Sequence, residues 1–249
     1  MNQLVITALL ILGLIIAVLI YEMPFIYGSA YTAPMELGND SLIIAISDLH
    51  LESNERDLGC IGNYLRGLGE DGIYLIINGD LFDKAHGQVL GQSHITELIR
   101  RLGLAGISEL RGVVYVMAMY DHDPRIGYGE VKYFIDGVNV RVVRGVVKLV
   151  IGGRTFWFLH GDYVVKNGLI ASLINKLFSG SYDKLVRFAV RAGEGDWVVI
   201  GHTHVPGINT ELRVANTGSW INRFISATDT AIVIDGSGNV KLINIKCSS

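Results

Sequence analysis

The strongest constraint on the fold is a pattern that occurs five times, in which an apolar run ends at a short cluster of aspartates and histidines. The clusters contain five of the seven histidines and are Asp48–His50, Gly79–Asp83, Asp121–Asp123, His160–Asp162 and Gly201–His204. The preceding runs are residues 42–47, 73–78, 113–119, 155–159 and 197–200. Such short apolar runs are typical of buried strands, and strand ends in a layered α/β protein converge on one edge of the sheets. The sequence therefore predicts one polar site formed by five loops.

The remaining pattern predicts a single α/β domain over residues 42–249. Helical patterns over 54–67 and 91–104 separate the first three strands and give a β-α-β-α-β order. Residues 138–159 predict two or three antiparallel strands with a turn at Gly152-Gly153. Further helices are predicted near 167–178 and 182–192, and further strands near 212–216, 230–235 and 240–245. This mixture predicts two packed mixed β-sheets flanked by helices.

Residues 4–20 form a separate apolar segment of seventeen residues without a charge. That length is at the lower limit for a helix that spans a ~30 Å hydrocarbon core, and aromatic residues at 21, 25 and 27 suit a membrane interface. We therefore expect a membrane anchor over residues 1–27, a tether over 28–41 and a single-pass membrane protein. The alternatives are a signal peptide cleaved near residues 28–30 and a buried core helix. No Lys or Arg precedes Arg56, so the positive-inside rule does not assign the side of the membrane.

The net charge and the cysteine content each exclude a class of function. The net charge is −3 and the pI is near 6.2, so the chain has no general basic surface for nucleic acid. Cys60 and Cys247 are too few for a disulfide framework and lack metal-ligand spacing. They are compatible with one bridge or with two thiols.

Aspartate oxygens and histidine nitrogens together are ligands for divalent ions such as Mn²⁺, Fe²⁺ and Zn²⁺. Two such ions ~3.5–4 Å apart hold a nucleophile and phosphoryl oxygens together, and they require a shared carboxylate. One Asp-x-His is weak support for such a centre. Five clusters in this order, each after a strand, strongly favour it.

These clusters resemble those of the calcineurin-like metallophosphoesterase family over roughly residues 42–245. The resemblance implies a four-layer sandwich and two bound metal ions, with manganese expected first and iron or zinc as alternatives. It implies that Asp48, His50 and His204 bind one metal. It implies that Asp80 bridges, and that Asp121, His160 and His202 complete the other metal site. By the same resemblance, His122 faces the substrate as hydrogen-bond donor or general acid, Asp83 orients its ring, and Asp123 supports the loop.

The third cluster departs from the family pattern, because Tyr120-Asp121 stands where the family has Gly-Asn. With Asp121, the carboxylates that contact the two ions would carry a total charge of −3, where an asparagine would leave −2, against the +4 of two divalent ions. We expect tighter metal binding and a weaker Lewis acid. Tyr120 adds a side chain where the loop approaches the phosphate, so the departure bears on the rate of turnover.

Two motifs are similar to those of the UDP-diacylglucosamine pyrophosphatase branch of the family, which cleaves a pyrophosphate bond in a lipid-linked nucleotide sugar. They are Gly201–Pro206 and Asn216–Trp220, and His160-Gly161-Asp162 fits the same branch. An apolar stripe over residues 169–178 is either core or a membrane-facing helix that contacts acyl chains. His86 and His94 lie outside the clusters and are expected to be structural.

The leading hypothesis is thus a membrane-anchored, metal-dependent hydrolase of a phosphodiester or pyrophosphate bond, in a phosphate-containing small molecule or lipid. A nuclease of the same superfamily is disfavoured by the acidic pI, by the anchor and by the absence of a long basic, aromatic-bearing extension. A non-catalytic metal-binding scaffold is the third possibility, and the change at Tyr120-Asp121 favours it. The sequence leaves open the substrate, the metal and the oligomeric state.

Overall fold

The computed structural model describes residues 3–120, 122–222 and 226–247. The described helices are α1 (Gln3–Glu22), α2 (Gly59–Gly67), α3 (Gln92–Leu102), α4 (Gly168–Leu177) and α5 (Ser181–Ala189), with a 3-10 turn at Pro24–Ile26. The first six strands are β1 (Tyr31–Glu36), β2 (Leu42–Ile46), β3 (Ile73–Asn78), β4 (Leu110–Val116), β5 (Gly129–Ile135) and β6 (Val138–Ile151). The last six are β7 (Arg154–Phe158), β8 (Trp197–Ile200), β9 (Gly207–Asn209), β10 (Val214–Asn216), β11 (Thr230–Ile234) and β12 (Val240–Asn244).

The long strand β6 belongs to two sheets and joins them. Its first half pairs with β4 and β5, and the first sheet continues as β12-β11-β2-β3-β4-β6. Its second half pairs with β7 and β1, and the second sheet continues as β6-β7-β8-β10-β9. The change of sheet occurs at Gly145, where a Cβ would lie 2.2 Å from the carbonyl oxygen of Tyr31. Only glycine lets the two backbones approach this closely.

Three apolar layers explain why the strands are continuous apolar runs. Along β2, Ile43 and Ala45 face the core between the two sheets, while Ile44 and Ile46 face the core under α2 and α3. A third core lies between the second sheet and helices α4 and α5. Strands buried on both faces lose the polar alternation of a half-exposed sheet. The predicted fold class, two packed mixed sheets flanked by helices, is confirmed.

The structure differs from the sequence prediction at three strands. Residues 31–36, predicted as part of a tether, form β1 and pair in parallel with β6 from Tyr31↔Gly145 to Glu36↔Val150. Pro34 argued against a strand in the sequence analysis. A proline is tolerated here because β1 is an edge strand. Strands β5 and β9 were not predicted, since β5 carries charge and is half-exposed while β9 has three residues.

Helix α1 stands apart from the three cores. Its window Val5–Glu22 has a mean hydropathy of 2.6, and none of that window is buried within the protein. It is the one helix in the described residues long and apolar enough to cross a membrane, and a signal sequence would have the same length and composition. Its last residue, Glu22, accepts hydrogen bonds from the backbone N–H groups of Lys166 (2.8 Å) and Asn167 (3.2 Å). The helix therefore joins the domain at the loop before α4.

Cys60 in α2 and Cys247 near the C-terminus form a disulfide with a Cα–Cα distance of 5.3 Å. Of the two states that the sequence left open, the structure contains the bridge. The two cysteines are 187 positions apart, and the bridge links the segment after β12 to α2, the helix beside the first sheet.

Candidate metal centre

The parallel pairing of the central strands brings the polar clusters together. Strands β2, β3 and β4 run parallel in one sheet, and β7 and β8 run parallel in the other. The loop after each strand carries one cluster, with Asp48 after β2, Asp80 after β3, His122 after β4, His160 after β7 and His202 after β8. The predicted convergence of strand ends therefore occurs at one edge of the sandwich.

The loops reach this edge through an unusual backbone. Among the described residues, ten non-glycine residues have a positive φ, and six of them lie in the clusters. They are Asp48, His50, Asp80, His122, His202 and His204, with φ between 47° and 72°. A left-handed conformation costs an L-residue roughly 1–2 kcal/mol, and such residues persist where the surroundings fix them, often at functional sites.

Three groups of side chains could each hold a metal ion, because their ligand atoms lie within 4.8 Å of one another. The groups are Asp48, His50 and His204; His50, Asp80 and His122; and Asp80, His160 and His202. The first group contains the residues that the resemblance assigned to one metal, and the third contains those assigned to the other together with Asp80, except Asp121, which lies outside the described residues. The second group was not predicted: it adds His122 to His50 and Asp80, which belong to the other two groups.

Asp80 lies between these groups and presents its two oxygens to different histidines. Its Oδ1 is 3.2 Å from His160 Nε2, whereas its Oδ2 is 3.7 Å from His50 Nε2 and 4.0 Å from His122 Nε2. The Asp48 carboxylate plays a similar part on one side, with Oδ1 at 3.2 Å from His204 Nε2. This division of Asp80 is the geometry that a bridging carboxylate requires.

The outward nitrogens of three histidines are committed to hydrogen bonds. His160 Nδ1 is 2.8 Å from the Asn78 carbonyl oxygen, His202 Nε2 is 2.8 Å from that of Val165, and His50 Nδ1 is 3.2 Å from Asp83 Oδ1. Each acceptor fixes the ring proton on the outward nitrogen of a neutral ring. In the neutral rings that metal binding requires, the inward nitrogens carry lone pairs, and those of His160 and His202 face each other at 3.2 Å. Two facing lone pairs fit a cation between them.

Three buried atoms of the site, Asp48 Oδ1, His50 Nε2 and Asp80 Oδ1, make no hydrogen bond of regular geometry within the described part of the chain. Their neighbours at 3.2–3.7 Å are atoms of other potential ligands. Buried polar atoms in native proteins are nearly always satisfied. These atoms all face into the cluster, so the donor set fits divalent metal ions.

The carboxylates and imidazoles of the cluster shift one another's pKa values. Burial would raise the pKa of Asp80, but His160 outweighs this effect and holds that pKa below its usual value. Burial likewise opposes a charge on His160, yet Asp80 holds the His160 pKa well above its usual value. Burial and the neighbouring His160 lower the pKa of His202 to about 4. The Asp80 carboxylate thus favours protonation of His160, and metal binding would require the ring to lose that proton.

Asp123 ties the second and third loops together. Its carboxylate accepts hydrogen bonds from the backbone N–H groups of Asp80 (3.1 Å), Phe82 (3.1 Å) and Ala118 (2.8 Å). Burial, and then the charge of Asp80, raises its pKa to about 7. These contacts hold the backbone of the two loops together.

Asp162 holds the third loop from the other side. Its Oδ2 accepts from the N–H groups of Met119 and Tyr120, both at 2.7 Å. The Tyr120 ring packs with the core under α4 and α5. The side chain expected to crowd the phosphate therefore contributes to that core.

Asp83 contacts two histidines instead of the one predicted. Its Oδ1 is 3.2 Å from both His50 Nδ1 and His122 Nδ1. Ser53 Oγ donates to its other oxygen, and Glu52 accepts from the Asp83 backbone N–H at 2.5 Å. Sequence reasoning missed Ser53 and Glu52, although both lie within three residues of His50.

The accessible side of the site is formed by two histidines. The side chains of His122 and His204 are 24% and 23% exposed, whereas those of Asp48, His50 and Asp80 are at most 6% exposed. A substrate would therefore meet His122 and His204 first. Asp121, a predicted ligand, lies outside the described residues.

The two remaining histidines contact other parts of the protein. His94 Nδ1 accepts from the Gly91 N–H (3.1 Å) at the start of α3, and His86 Nε2 is 3.5 Å from Arg125 Nη2. Neither belongs to a potential metal group. Sequence reasoning also missed the carbonyl groups of Asn78 and Val165, because a backbone acceptor has no residue signature.

Comparisons with known proteins give a likeness of fold. No family model and no curated protein sequence matches the chain. Among solved structures, Vacuolar Protein Sorting 29 from Cryptosporidium parvum is 16% identical, with 82% of this chain and 95% of that chain covered and a TM-score of 0.42. The E. coli phosphoesterase YfcE is 13% identical, with 82% and 100% covered and a TM-score of 0.40. A mutant cold-active protein tyrosine phosphatase is 13% identical, with 86% and 83% covered and a TM-score of 0.42.

Proposed function

We propose that this protein is a membrane-anchored, dinuclear metal-dependent phosphoesterase that hydrolyses a phosphodiester or pyrophosphate bond. The observation that carries the proposal is the Asp80 carboxylate, whose oxygens face His160 on one side and His50 with His122 on the other. One metal would be held by Asp48, His50, His204 and Asp80. The other would be held by Asp80, His160, His202 and the predicted ligand Asp121.

Two divalent ions at these ligands would supply a hydroxide nucleophile at neutral pH and would neutralise the phosphoryl oxygens. Manganese, iron and zinc all accept this mixed oxygen and nitrogen ligand set. The protein contributes the fixed positions of the ligands, because the histidine rings are held from outside by Asn78, Val165 and Asp83.

His122 is placed to act on the substrate. It is among the most exposed of the clustered histidines, and its Nδ1 is oriented by Asp83 Oδ1 at 3.2 Å. With that nitrogen occupied, Nε2 is directed towards the side where Asp80 lies. It would donate a hydrogen bond to a phosphoryl oxygen or a proton to the leaving oxygen.

The place where α1 joins the domain favours the lipid-linked form of the proposed substrate. Val165, whose carbonyl oxygen orients His202, precedes Lys166, whose N–H donates to the carbonyl oxygen of Glu22 at the end of α1. The Lys166 ammonium lies 3.9 Å from the Tyr21 ring centroid. If α1 spans the bilayer, the metal centre lies close to the membrane surface, where lipid phosphates are accessible.

The experiment is metal analysis joined to a substrate panel with the full-length protein in detergent. After Mn²⁺ loading, we expect two equivalents per chain and hydrolysis of bis-nitrophenyl phosphate or a nucleotide pyrophosphate. Nitrophenyl phosphate and single-stranded DNA complete the panel. Metal near zero in folded protein would contradict the proposal, cleavage of DNA alone would identify a nuclease, and metal without any hydrolysis would identify a scaffold.

Substitutions assign the roles within that experiment. Asp80→Ala and His160→Ala should abolish hydrolysis, because each removes a ligand. His86→Ala is the matched control, since His86 is a histidine of the same region outside the metal groups. Full activity in Asp80→Ala would show that the bridging carboxylate is misassigned.

A further inference from the structure

A second cavity lies away from the metal centre, beside the end of α1. It has a volume of about 930 Å³ and lies between the segment after α1, the outer face of the second sheet and helix α5. None of the potential metal ligands lines it. It is therefore a separate space from the proposed active site.

The charged side chains that line this cavity are all positive. Lys148, Arg187 and Arg191 line it, and no acidic side chain does so among the described residues. Arg187 donates to the carbonyl oxygens of Asp196 (2.7 Å) and Gly193 (2.5 Å), and none of the three cations pairs with a carboxylate within the described chain. The nearest carboxylate that these contacts identify is that of Asp196, which accepts hydrogen bonds from Trp157 Nε1 (2.8 Å) and the Gly193 N–H (2.9 Å). The lining itself therefore carries three positive charges and no negative one among the described residues.

Four aromatic side chains also line the cavity: Phe25, Trp157, Tyr163 and Phe188. The Phe25 ring, three residues after α1, packs edge-on against Phe188 at 6.3 Å, and Phe188 is 73% exposed. The Lys148 ammonium lies 5.0 Å from the Trp157 ring centroid. Exposed aromatic rings with lysine and arginine beside a membrane helix are typical of the interfacial zone.

The backbone at Arg191 is a second, independent observation. Arg191 follows α5 with a φ of 54°, while its N–H donates to Phe188 O (3.0 Å) and the N–H of Ala192 donates to Arg187 O (3.0 Å). This is the helix-ending position that glycine normally occupies. An arginine at this position is therefore disfavoured by its own backbone. Arg191 and Tyr163 both line the cavity.

We propose that this cavity binds the phosphate-bearing headgroup of an anionic phospholipid from the membrane in which α1 sits. The inference rests on the anchoring part of the proposed function and is independent of hydrolysis. The cations would contact the headgroup phosphate, and Phe25 and Phe188 would lie against the acyl-chain boundary. Binding there would fix the tilt of the domain relative to the membrane.

The test uses native mass spectrometry of the full-length protein in detergent, with added phosphatidylglycerol or phosphatidylcholine of identical acyl chains. We expect one retained phosphatidylglycerol per chain and much weaker retention of phosphatidylcholine. Each cation near a membrane surface contributes an attraction equivalent to about fivefold in affinity. Lys148→Gln and Arg191→Gly should each weaken phosphatidylglycerol binding by about that factor. Lys241→Gln, an exposed lysine on β12, should leave binding unchanged.

Arg191→Gly separates a binding role from a structural one, because glycine suits the left-handed backbone and should keep or raise the thermal stability. Equal retention of the two lipids, or unchanged binding in Lys148→Gln and Arg191→Gly, would overturn the proposal. Displacement of the lipid by millimolar inorganic phosphate would show a free-anion site instead. Flotation with phosphatidylcholine vesicles tests the anchor separately, since loss of flotation would refute the anchoring alone.

Discussion

The close packing of Gly79 on His160 allows a quantitative test of how the metal centre is held. Gly79 has a φ of 72°, and a Cβ added to it would lie 2.4 Å from His160 Cγ and 2.6 Å from Nδ1. The ring is buried and its Nδ1 is engaged by the Asn78 carbonyl oxygen. Gly79→Ala therefore requires the His160 ring to move, with loss of this hydrogen bond.

Gly87 provides a matched control. It also has a positive φ, 87°, but its added Cβ would have no heavy atom within 4 Å in the described chain. Both substitutions carry the left-handed backbone penalty of roughly 1–2 kcal/mol. Only Gly79→Ala adds an overpacking penalty of about 1–3 kcal/mol. The difference between the two variants isolates the contact with His160.

The assay is thermal unfolding of the full-length protein in detergent with EDTA, followed by Mn²⁺ titration. For a chain of this size, 1 kcal/mol corresponds to roughly 2–4 °C in Tm. Gly79→Ala should therefore unfold several degrees below Gly87→Ala. It should also bind one Mn²⁺ about 10–100-fold more weakly, because the partner that orients His160 is disturbed. Equal Tm values and equal metal affinities in the two variants would refute the packing argument.

Two further changes test the disulfide and the third loop. The double variant Cys60→Ala/Cys247→Ala should lower the free energy of unfolding by about 2–5 kcal/mol, because the bridge joins residues 187 positions apart. Chemical denaturation with and without dithiothreitol measures this difference. A wild-type protein whose stability does not change on reduction would contradict the expectation. Asp121→Asn should weaken metal binding at one site while maintaining or raising kcat at saturating Mn²⁺, because the ligand set loses one negative charge. Asp121→Ala should lose the second ion and most activity, because no oxygen donor would remain. Unchanged metal content and kcat in Asp121→Ala would show that Asp121 is not a ligand.

The location of the site followed from the sequence because two local signals agreed. Apolar runs identified the strands, and each polar cluster marked the point where a chain leaves the core. Since parallel strands end at the same edge, residues as distant as Asp48 and His202 could be placed together. Their contact is direct, because the His202 N–H donates to Asp48 Oδ2 at 3.1 Å.

The features that the sequence did not reveal depend on partners distant in the chain. Strand β1 was missed because Pro34 is unfavourable for a strand until its neighbour β6 is known. The division of β6 between two sheets depends on the approach of Tyr31 to Gly145, 114 positions apart in the register Tyr31↔Gly145. The contact of one Asp83 oxygen with both His50 and His122 likewise depends on how three loops are arranged in space. A single sequence shows which residues are polar. It does not show which oxygen of a carboxylate contacts which histidine ring.

The attachment of α1 has a consequence for the metal centre itself. The peptide unit between Val165 and Lys166 accepts from His202 Nε2 through its carbonyl and donates to Glu22 O through its N–H, both at 2.8 Å. One rigid, planar group therefore connects the end of the apolar helix with a proposed metal ligand. We expect a displacement of the end of α1 to move this peptide and, through it, the imidazole ring of His202. Because His202 also faces His160 at 3.2 Å, such a displacement would alter one of the two proposed metal sites.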